Sequence, residues 1–285
     1  SRPTELRSVA REDLWCTRTR RPGAGLGRMA ALRSAWVCGG SRGLGLGLAA
    51  GVLARGGAGA RVWISGRDLG QDAAPGLAAL RERWGDQVAL VPLDATDPVA
   101  VEDAARRVAD ESGGALDALI CTIGVLHRDG RQPEKRLRDF DPEWAIESFR
   151  VNAVAPMLLA RAAIEHDLFD REQWTVIANL SAKIGSVSDN RLGSWYSYRA
   201  SKAAQNQLNR CIAIELARMR RKTMCVGLHP GTVDTQLSQP FSKNVSYEVF
   251  TVEKASEQLL NVLAGLDPAT HNGKLLSYSG DVIDP

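Results

Sequence analysis

Ala35-Trp36-Val37-Cys38-Gly39-Gly40-Ser41-Arg42-Gly43-Leu44-Gly45 joins a short apolar run to a cluster of glycines, and a helical pattern follows from Leu46 to about Arg55. The apolar run reads as a buried parallel strand. Strand, glycine turn and helix form a dinucleotide-binding arrangement. The glycines let the backbone approach a pyrophosphate, and the helix N-terminus faces its charge. A lone glycine cluster leaves open a loop of no special role. The spacing Gly39-x-x-x-Gly43-x-Gly45 also differs from the common Gly-x-Gly-x-x-Gly.

Downstream lie Ser181 and the stretch Tyr198-Arg199-Ala200-Ser201-Lys202. Residues four apart on a helix share a face. An ammonium beneath a phenol lowers its pKa from about 10 toward the working range. A tyrosine so tuned exchanges a proton with a carbonyl or alcohol oxygen. Tyr-x-x-x-Lys alone is weak, since any helical protein carries one by chance; its companions give it weight.

The glycine spacing resembles the variant used by short-chain dehydrogenases/reductases. Asn152 in Val-Asn-Ala, Ser181 in Asn-Leu-Ser-Ala, Tyr198 and Lys202 match that family's catalytic tetrad. His229-Pro230-Gly231-Thr232-Val233-Asp234-Thr235 matches its Pro-Gly segment beside the nicotinamide. The resemblance covers roughly residues 31–280. Within the family it is closer to the C-factor-like (C-signal-like) reductases, on Pro133-Glu134-Lys135-Arg136-Leu137, Ser188-Asp189-Asn190-Arg191-Leu192-Gly193 and Trp195-Tyr196-Ser197-Tyr198. Two departures stand out. Cys38 replaces a threonine whose hydroxyl braces the turn, and Cys121-Thr122-Ile123-Gly124 replaces Asn-Asn-Ala-Gly, keeping only Gly124.

The resemblance implies roles. Tyr198 is the general acid in reduction and the base in oxidation; Lys202 lowers its pKa and holds the nicotinamide ribose. Ser181 positions the carbonyl oxygen, and Asn152 holds a water that relays protons from Lys202. Gly39, Ser41, Arg42, Gly43, Leu44, Gly45, Gly124, Pro230, Gly231 and Val233, with Tyr198 and Lys202, contact the cofactor, and Asp94 contacts adenine or, alternatively, serves as a turn residue or cap. At the end of the second strand, Ser65-Gly66-Arg67 carries Gly66 where NAD-preferring relatives carry Asp. Arg67 and Arg42 suit a 2′-phosphate, with Ser65 donating a hydrogen bond; Arg67 merely facing solvent is the other reading. The expected cofactor is NADPH/NADP+ rather than NADH/NAD+. The expected activity is reduction of a small aldehyde or ketone, or oxidation of the alcohol. A nucleotide-binding signalling or sensor protein with little turnover is the alternative, and a structural interaction protein ranks behind both. Homodimers or homotetramers are typical of the family.

Apolar runs at 35–38, 61–65, 88–93, 118–123, 175–180, 224–228 and 274–278 alternate with helical patterns, and Asp97-Pro98 and Asp141-Pro142 mark two helix starts. This predicts an α/β fold: a doubly wound Rossmann-type parallel sheet of about seven strands, helices on both faces, in a single domain spanning residues 29–285. Gly39, Ser181 and His229-Pro230-Gly231 each follow a strand and so share one sheet edge. The segment 236–250 is expected to cover the substrate or to be an ordinary connection. Asp189–Arg191 rim the site, and Trp195 and Tyr196 either line the pocket or pack the helix start.

At 285 residues and 44% hydrophobic content, one core suffices. No apolar run reaches membrane-spanning length. Five unpaired-looking cysteines suit a reducing compartment, with Cys38 and Cys121 as small buried hydrophobes, and His127, His166, His229 and His271 lack metal-ligand spacing. Residues 1–28 carry seven arginines against Glu5, Glu12 and Asp13, a net +4 that leaves the body at about −1, so the body makes no case for nucleic acid. For that tail three readings stand: an upstream-translated or artificial extension before a natural start at Met29, an organellar transit segment, or a basic arm. The expected location is cytoplasmic, or organellar under the transit reading.

Overall fold

Why the apolar runs become strands is visible in their alternation. Val37, Ile64 and Ile120 turn to one side of a sheet, and Trp36, Trp63, Leu119 and Ile177 to the other. A strand buried on both faces must be apolar throughout, which is how these runs read. The computed structural model describes residues 32–70, 75–242 and 245–285; the tail 1–28 and Met29 lie outside them.

The sheet contains β1 (Ser34–Cys38), β2 (Arg61–Gly66), β3 (Val88–Pro92), β4 (Ala118–Cys121), β5 (Thr175–Leu180) and β6 (Thr223–His229). Two short strands, β7 (Thr232–Val233) and β8 (Val249–Phe250), pair separately, while β9 (Leu275–Ser277) and β10 (Val282–Ile283) extend the main sheet. Its order is β10-β9-β6-β5-β4-β1-β2-β3, parallel except for β9 with β10. Eight strands stand where about seven were expected. The addition is β10, whose two residues are too short to show a period. β4 ends at Cys121 rather than Ile123, although Thr122 N–H still donates to Cys38 O at 2.8 Å.

Helices α1 (Gly43–Gly56), α2 (Pro75–Trp84) and, from the far end of the chain, α7 (Val252–Ala264) cover one face. Helices α3 (Pro98–Ser112), α5 (Ala155–Glu165) and α6 (Tyr196–Arg218) cover the other. Trp36 and Trp63 are buried beneath the second layer; truncating either to Ala removes about 3–5 kcal/mol. Both predicted acid caps form: Asp97 accepts from Val99 N at 2.9 Å, and Asp141 accepts from Glu143 N at 3.0 Å.

The helix that Asp141 starts, α4 (Pro142–Phe149), runs into α5 through a π-helical turn at Arg150–Val154. Such turns widen a helix locally and often mark functional sites. Asn152 lies inside it. Strand order reverses between β1 and β4, so the crevice of the fold opens there, at the carboxyl ends of the strands. Among the described residues no helix is long and apolar enough to cross a membrane.

Candidate active site

The glycine turn sits at the carboxyl end of β1. Gly39 N and Gly40 N both donate to Ser65 O, at 2.8 and 3.1 Å. Gly39 has φ +83°, and a Cβ there would lie 2.7 Å from Thr122 Oγ1. A Cβ on Gly45 would strike Gly39 O and come within 2.6 Å of the same hydroxyl. The turn is therefore a cradle that side chains would fill, and the N-terminus of α1 opens onto it.

Thr122 explains both sequence departures at once. Its hydroxyl lies 3.1 Å from Cys38 O and from Gly39 O, donating to the turn from the neighbouring strand. The brace that a threonine at position 38 was expected to supply thus comes from position 122. Cys38 and Cys121 are register partners buried below it, and burial raises both thiol pKa values, that of Cys121 to about 11. They are neutral packing groups.

The other predicted cofactor residues arrange as follows. A Cβ at Gly66 would lie 3.4 Å from Ser41 Oγ, so the ends of β1 and β2 share one small space. Arg42 and Arg67 are exposed there, with no hydrogen-bond or ion-pair partner among the described residues. Ser65 is a correction. It is fully buried on the opposite face and accepts the Trp36 indole N–H at 2.7 Å, so its hydroxyl serves the core. Asp94 Oδ1 accepts Thr96 N and Thr96 Oγ1 at 2.9 and 2.7 Å, a turn that holds its carboxyl below the usual range. Arg67 and Arg150 add to that depression. Val233 packs with Phe250 and Ala255, and Leu44 leans on that cluster. Pro230 is half-buried between β6 and β7, and Gly231 has φ +74°.

Four catalytic candidates come from three segments: Asn152 from the π turn, Ser181 from the end of β5, and Tyr198 with Lys202 from α6. Asn152 is fully buried; its Oδ1 accepts Val125 N at 2.7 Å, and its Nδ2 donates to Val125 O at 2.9 Å and Ser201 Oγ at 3.0 Å. This amide ties the chain after β4 to α6. Gly124 keeps the space beside it open: a Cβ there would be 3.5 Å from Asn152 Oδ1 and 3.7 Å from Lys202 Nζ.

Lys202 is buried, donating to Leu180 O at 2.8 Å and Gln205 Oε1 at 2.9 Å. Burial pulls its pKa down to about 8. Its Nζ lies 6.0 Å from the Tyr198 ring centroid. The phenol responds to burial instead, which pushes it up to about 12. The expected lowering by the ammonium is absent in this arrangement, because that ammonium is turned to Leu180 and Gln205. Ser181 Oγ donates to Asn206 Oδ1 at 2.6 Å.

Around Tyr198 stands an aromatic wall. Trp195 meets it edge-on at 6.3 Å and meets Phe241 at 5.1 Å, and Phe241 reaches His127 at 5.6 Å. Trp195 therefore stands beside Tyr198, and segment 236–250, apart from 243 and 244 outside the described residues, reaches this wall through Phe241 and through Gln236 O, 3.3 Å from His127 Nε2. The indole is held by strain: Gly193, Ser194 and Trp195 all have positive φ, at 63°, 54° and 52°. Arg199 Nε ties this stretch down through Gly193 O and Ser194 O, at 3.0 and 3.1 Å.

Buried Glu134 completes the support. Its backbone oxygen accepts Trp195 N at 2.6 Å, and its carboxylate accepts Ser197 N at 3.3 Å and the Ser197 hydroxyl. A carboxylate is favourable at a helix N-terminus, and this one fixes the first turn of the helix that carries Tyr198. Asp189, expected at the rim, pairs with Lys183 at 3.3 Å.

Four supporting residues escape sequence reasoning: Thr122, Glu134, Gln205 and Asn206. The last two had a signal, at i+3 and i+4 from Lys202 on one helix face. Among the described residues no three His, Cys, Asp or Glu side chains gather around a metal-sized space.

A family model for short-chain dehydrogenases matches residues 33–246. The chain belongs to the short-chain dehydrogenase family. Among curated relatives of this short-chain dehydrogenase, one from Pyricularia oryzae is 28% identical over 256 residues, 87% of this chain and 96% of its own. The C-signal protein of Myxococcus xanthus is 28% identical over 167 residues, 59% of this chain and 91% of its own. Among solved structures, an NADPH-bound carbonyl reductase from chicken fatty liver is 27% identical, with a TM-score of 0.79 over 90% of this chain and 96% of its own. Membership makes the protein an oxidoreductase.

Proposed function

We propose that this short-chain dehydrogenase is an NADPH-dependent carbonyl reductase, formally reversible, acting on an aldehyde or ketone. The observation that carries the reading is the glycine cradle at the end of β1 with Ser181 at the end of β5 and Tyr198 and Lys202 together on α6, the Lys202 ammonium beside Gly124. The similar carbonyl reductase from chicken fatty liver binds NADPH, which agrees.

The residues present fit the cofactor. Gly39 and Gly45 leave the backbone approachable, Gly124 keeps space beside Lys202, and Arg42 and Arg67 offer guanidinium groups to a 2′-phosphate. When bound, the reduced nicotinamide supplies the hydride to the carbonyl carbon. Tyr198 gives its proton to the carbonyl oxygen, forming the alcohol, and regains one from solvent by way of Lys202. Ser181 holds the same oxygen and stabilises its developing charge. Asn152 keeps α6 in register with the chain after β4. The wall of Trp195, Phe241 and His127 favours a substrate with a flat apolar part.

The altered 121–124 segment still braces the turn through Thr122, which weighs against the sensor reading. Association into a homo-oligomer belongs to the same proposal; Ile146, Phe149 and Val154 are exposed along α4 and the π turn, and light scattering measures it. The test of function is NADPH consumption over a panel of aldehydes and ketones that includes aryl ketones. Turnover supports the reading, and tight NADPH binding without turnover on any member restores the sensor.

A further inference from the structure

Past Lys202, the helix face that carries the catalytic pair continues through Gln205, Asn206 and Asn209, packed against β5 and β6. Each amide is half satisfied. Asn209 Oδ1 accepts from Asn179 Nδ2 at 2.7 Å, Gln205 Oε1 from Lys202 and Asn206 Oδ1 from Ser181, while Asn209 Nδ2, Gln205 Nε2 and Asn206 Nδ2 are buried without partners among the described residues. Buried donors left unpaired are costly, and one beside a reacting group calls for an explanation.

The consequence is sharpest at Ser181. A serine hydroxyl has one proton. With that proton on Asn206 Oδ1, Ser181 can only accept, yet its role toward a carbonyl oxygen is to donate. Turning the Asn206 amide by half a rotation places Nδ2 where Oδ1 stood. That motion lies within the broad two-fold freedom of an asparagine side chain. Nδ2 then donates to Ser181 Oγ, and the hydroxyl proton is free for the carbonyl oxygen. Gly227 faces this amide without a side chain, where a Cβ would sit 3.5 Å from Asn206 Oδ1.

We propose that Asn206 is a positioning residue for Ser181, its amide turning between a state that holds the serine proton and a state that releases it to the substrate oxygen. The proposal rests on the carbonyl-reductase reading. The variants Asn206→Ala, Asn206→Asp, Ser181→Ala and the Ser181→Ala/Asn206→Ala pair test it, with NADPH and the best carbonyl of the panel. Asn206→Ala is expected to lower kcat about 10–100-fold, with KM and NADPH affinity near wild type. The double variant is expected to be no worse than Ser181→Ala, because two residues acting as one unit do not add.

Asn206→Asp keeps the shape but, ionised, only accepts. Its activity is expected to fall as far as that of Ser181→Ala at pH 8 and to recover, relative to wild type, as falling pH protonates the carboxylate. Wild-type kcat in both Asn206 variants, or losses that multiply in the double variant, would overturn the proposal while leaving the reductase standing. A lowered Tm with kcat unchanged would do the same and leave Asn206 as packing only. Absence of wild-type turnover overturns the reductase reading and this proposal with it.

Discussion

The two halves of the site edge are built from opposite materials. The cofactor half, between β1 and α1, is made of backbone: glycine amides on Ser65 O, a Cβ-free cradle, and one hydroxyl from Thr122. The catalytic half, on α6, is made of polar side chains: buried Glu134 at the first turn, then buried Lys202 and Gln205 and half-buried Asn206. A backbone cradle tolerates little addition, since a Cβ at Gly45 strikes Gly39 O and one at Gly39 strikes the Thr122 hydroxyl. A side-chain network tolerates little subtraction, since each removed partner leaves a buried group unpaired. The difference dictates which substitutions harm which half.

Adding to the cradle should have the largest effect. Gly45→Val is expected to abolish measurable NADPH binding by calorimetry and to destabilise the fold by about 1–3 kcal/mol through overpacking. Binding within a few-fold of wild type would mean the cradle is not the cofactor site. Subtracting from α6 comes next. Glu134→Ala frees the first turn of α6 and is expected to lower stability by about 2 kcal/mol in urea melts. It is also expected to lower kcat through a misplaced Tyr198 and Trp195, while NADPH affinity holds. Equal losses in both quantities would erase the distinction between the halves.

The comparison also says what the sequence could reveal. The glycine turn and the shared face of Tyr198 and Lys202 were legible because turns and helix faces have fixed periods, whereas Ser181 was named only by the family resemblance. The seven longer strands were legible because burial on both faces forces apolar runs. The brace at Thr122 was not, since it crosses from β4 to β1 and depends on register. Glu134 sits 63 residues before the Ser197 it binds, a separation no local pattern spans. Ser65 looked available and proved buried, because alternation along β2 turns its side chain to Trp36. The lowered phenol pKa failed because sequence spacing placed Lys202 near Tyr198 without saying where its ammonium points.

A pH measurement sharpens the catalytic half. Lys202 has a folded-state pKa of about 8 against an ordinary 10.5. Between those values the folded chain binds fewer protons than the unfolded one, so stability rises with pH across that window. Below about pH 8 the full cost of burying the ammonium is present. Relative to Lys202→Met, wild type should gain about 3 kcal/mol of unfolding free energy from pH 8 to 10.5. A flat difference would show the ammonium to be solvated. Smaller still is the brace: Thr122→Val is expected to cost about 1 kcal/mol and to weaken NADPH binding a few-fold.

The central claim, that the Tyr198 phenol delivers the proton in carbonyl reduction, is tested most directly by Tyr198→Phe measured beside wild type with NADPH affinity determined in both. The expected result is turnover lowered at least about 100-fold, as for loss of a general acid, with affinity intact. Turnover equal to wild type, at equal affinity, would contradict the claim.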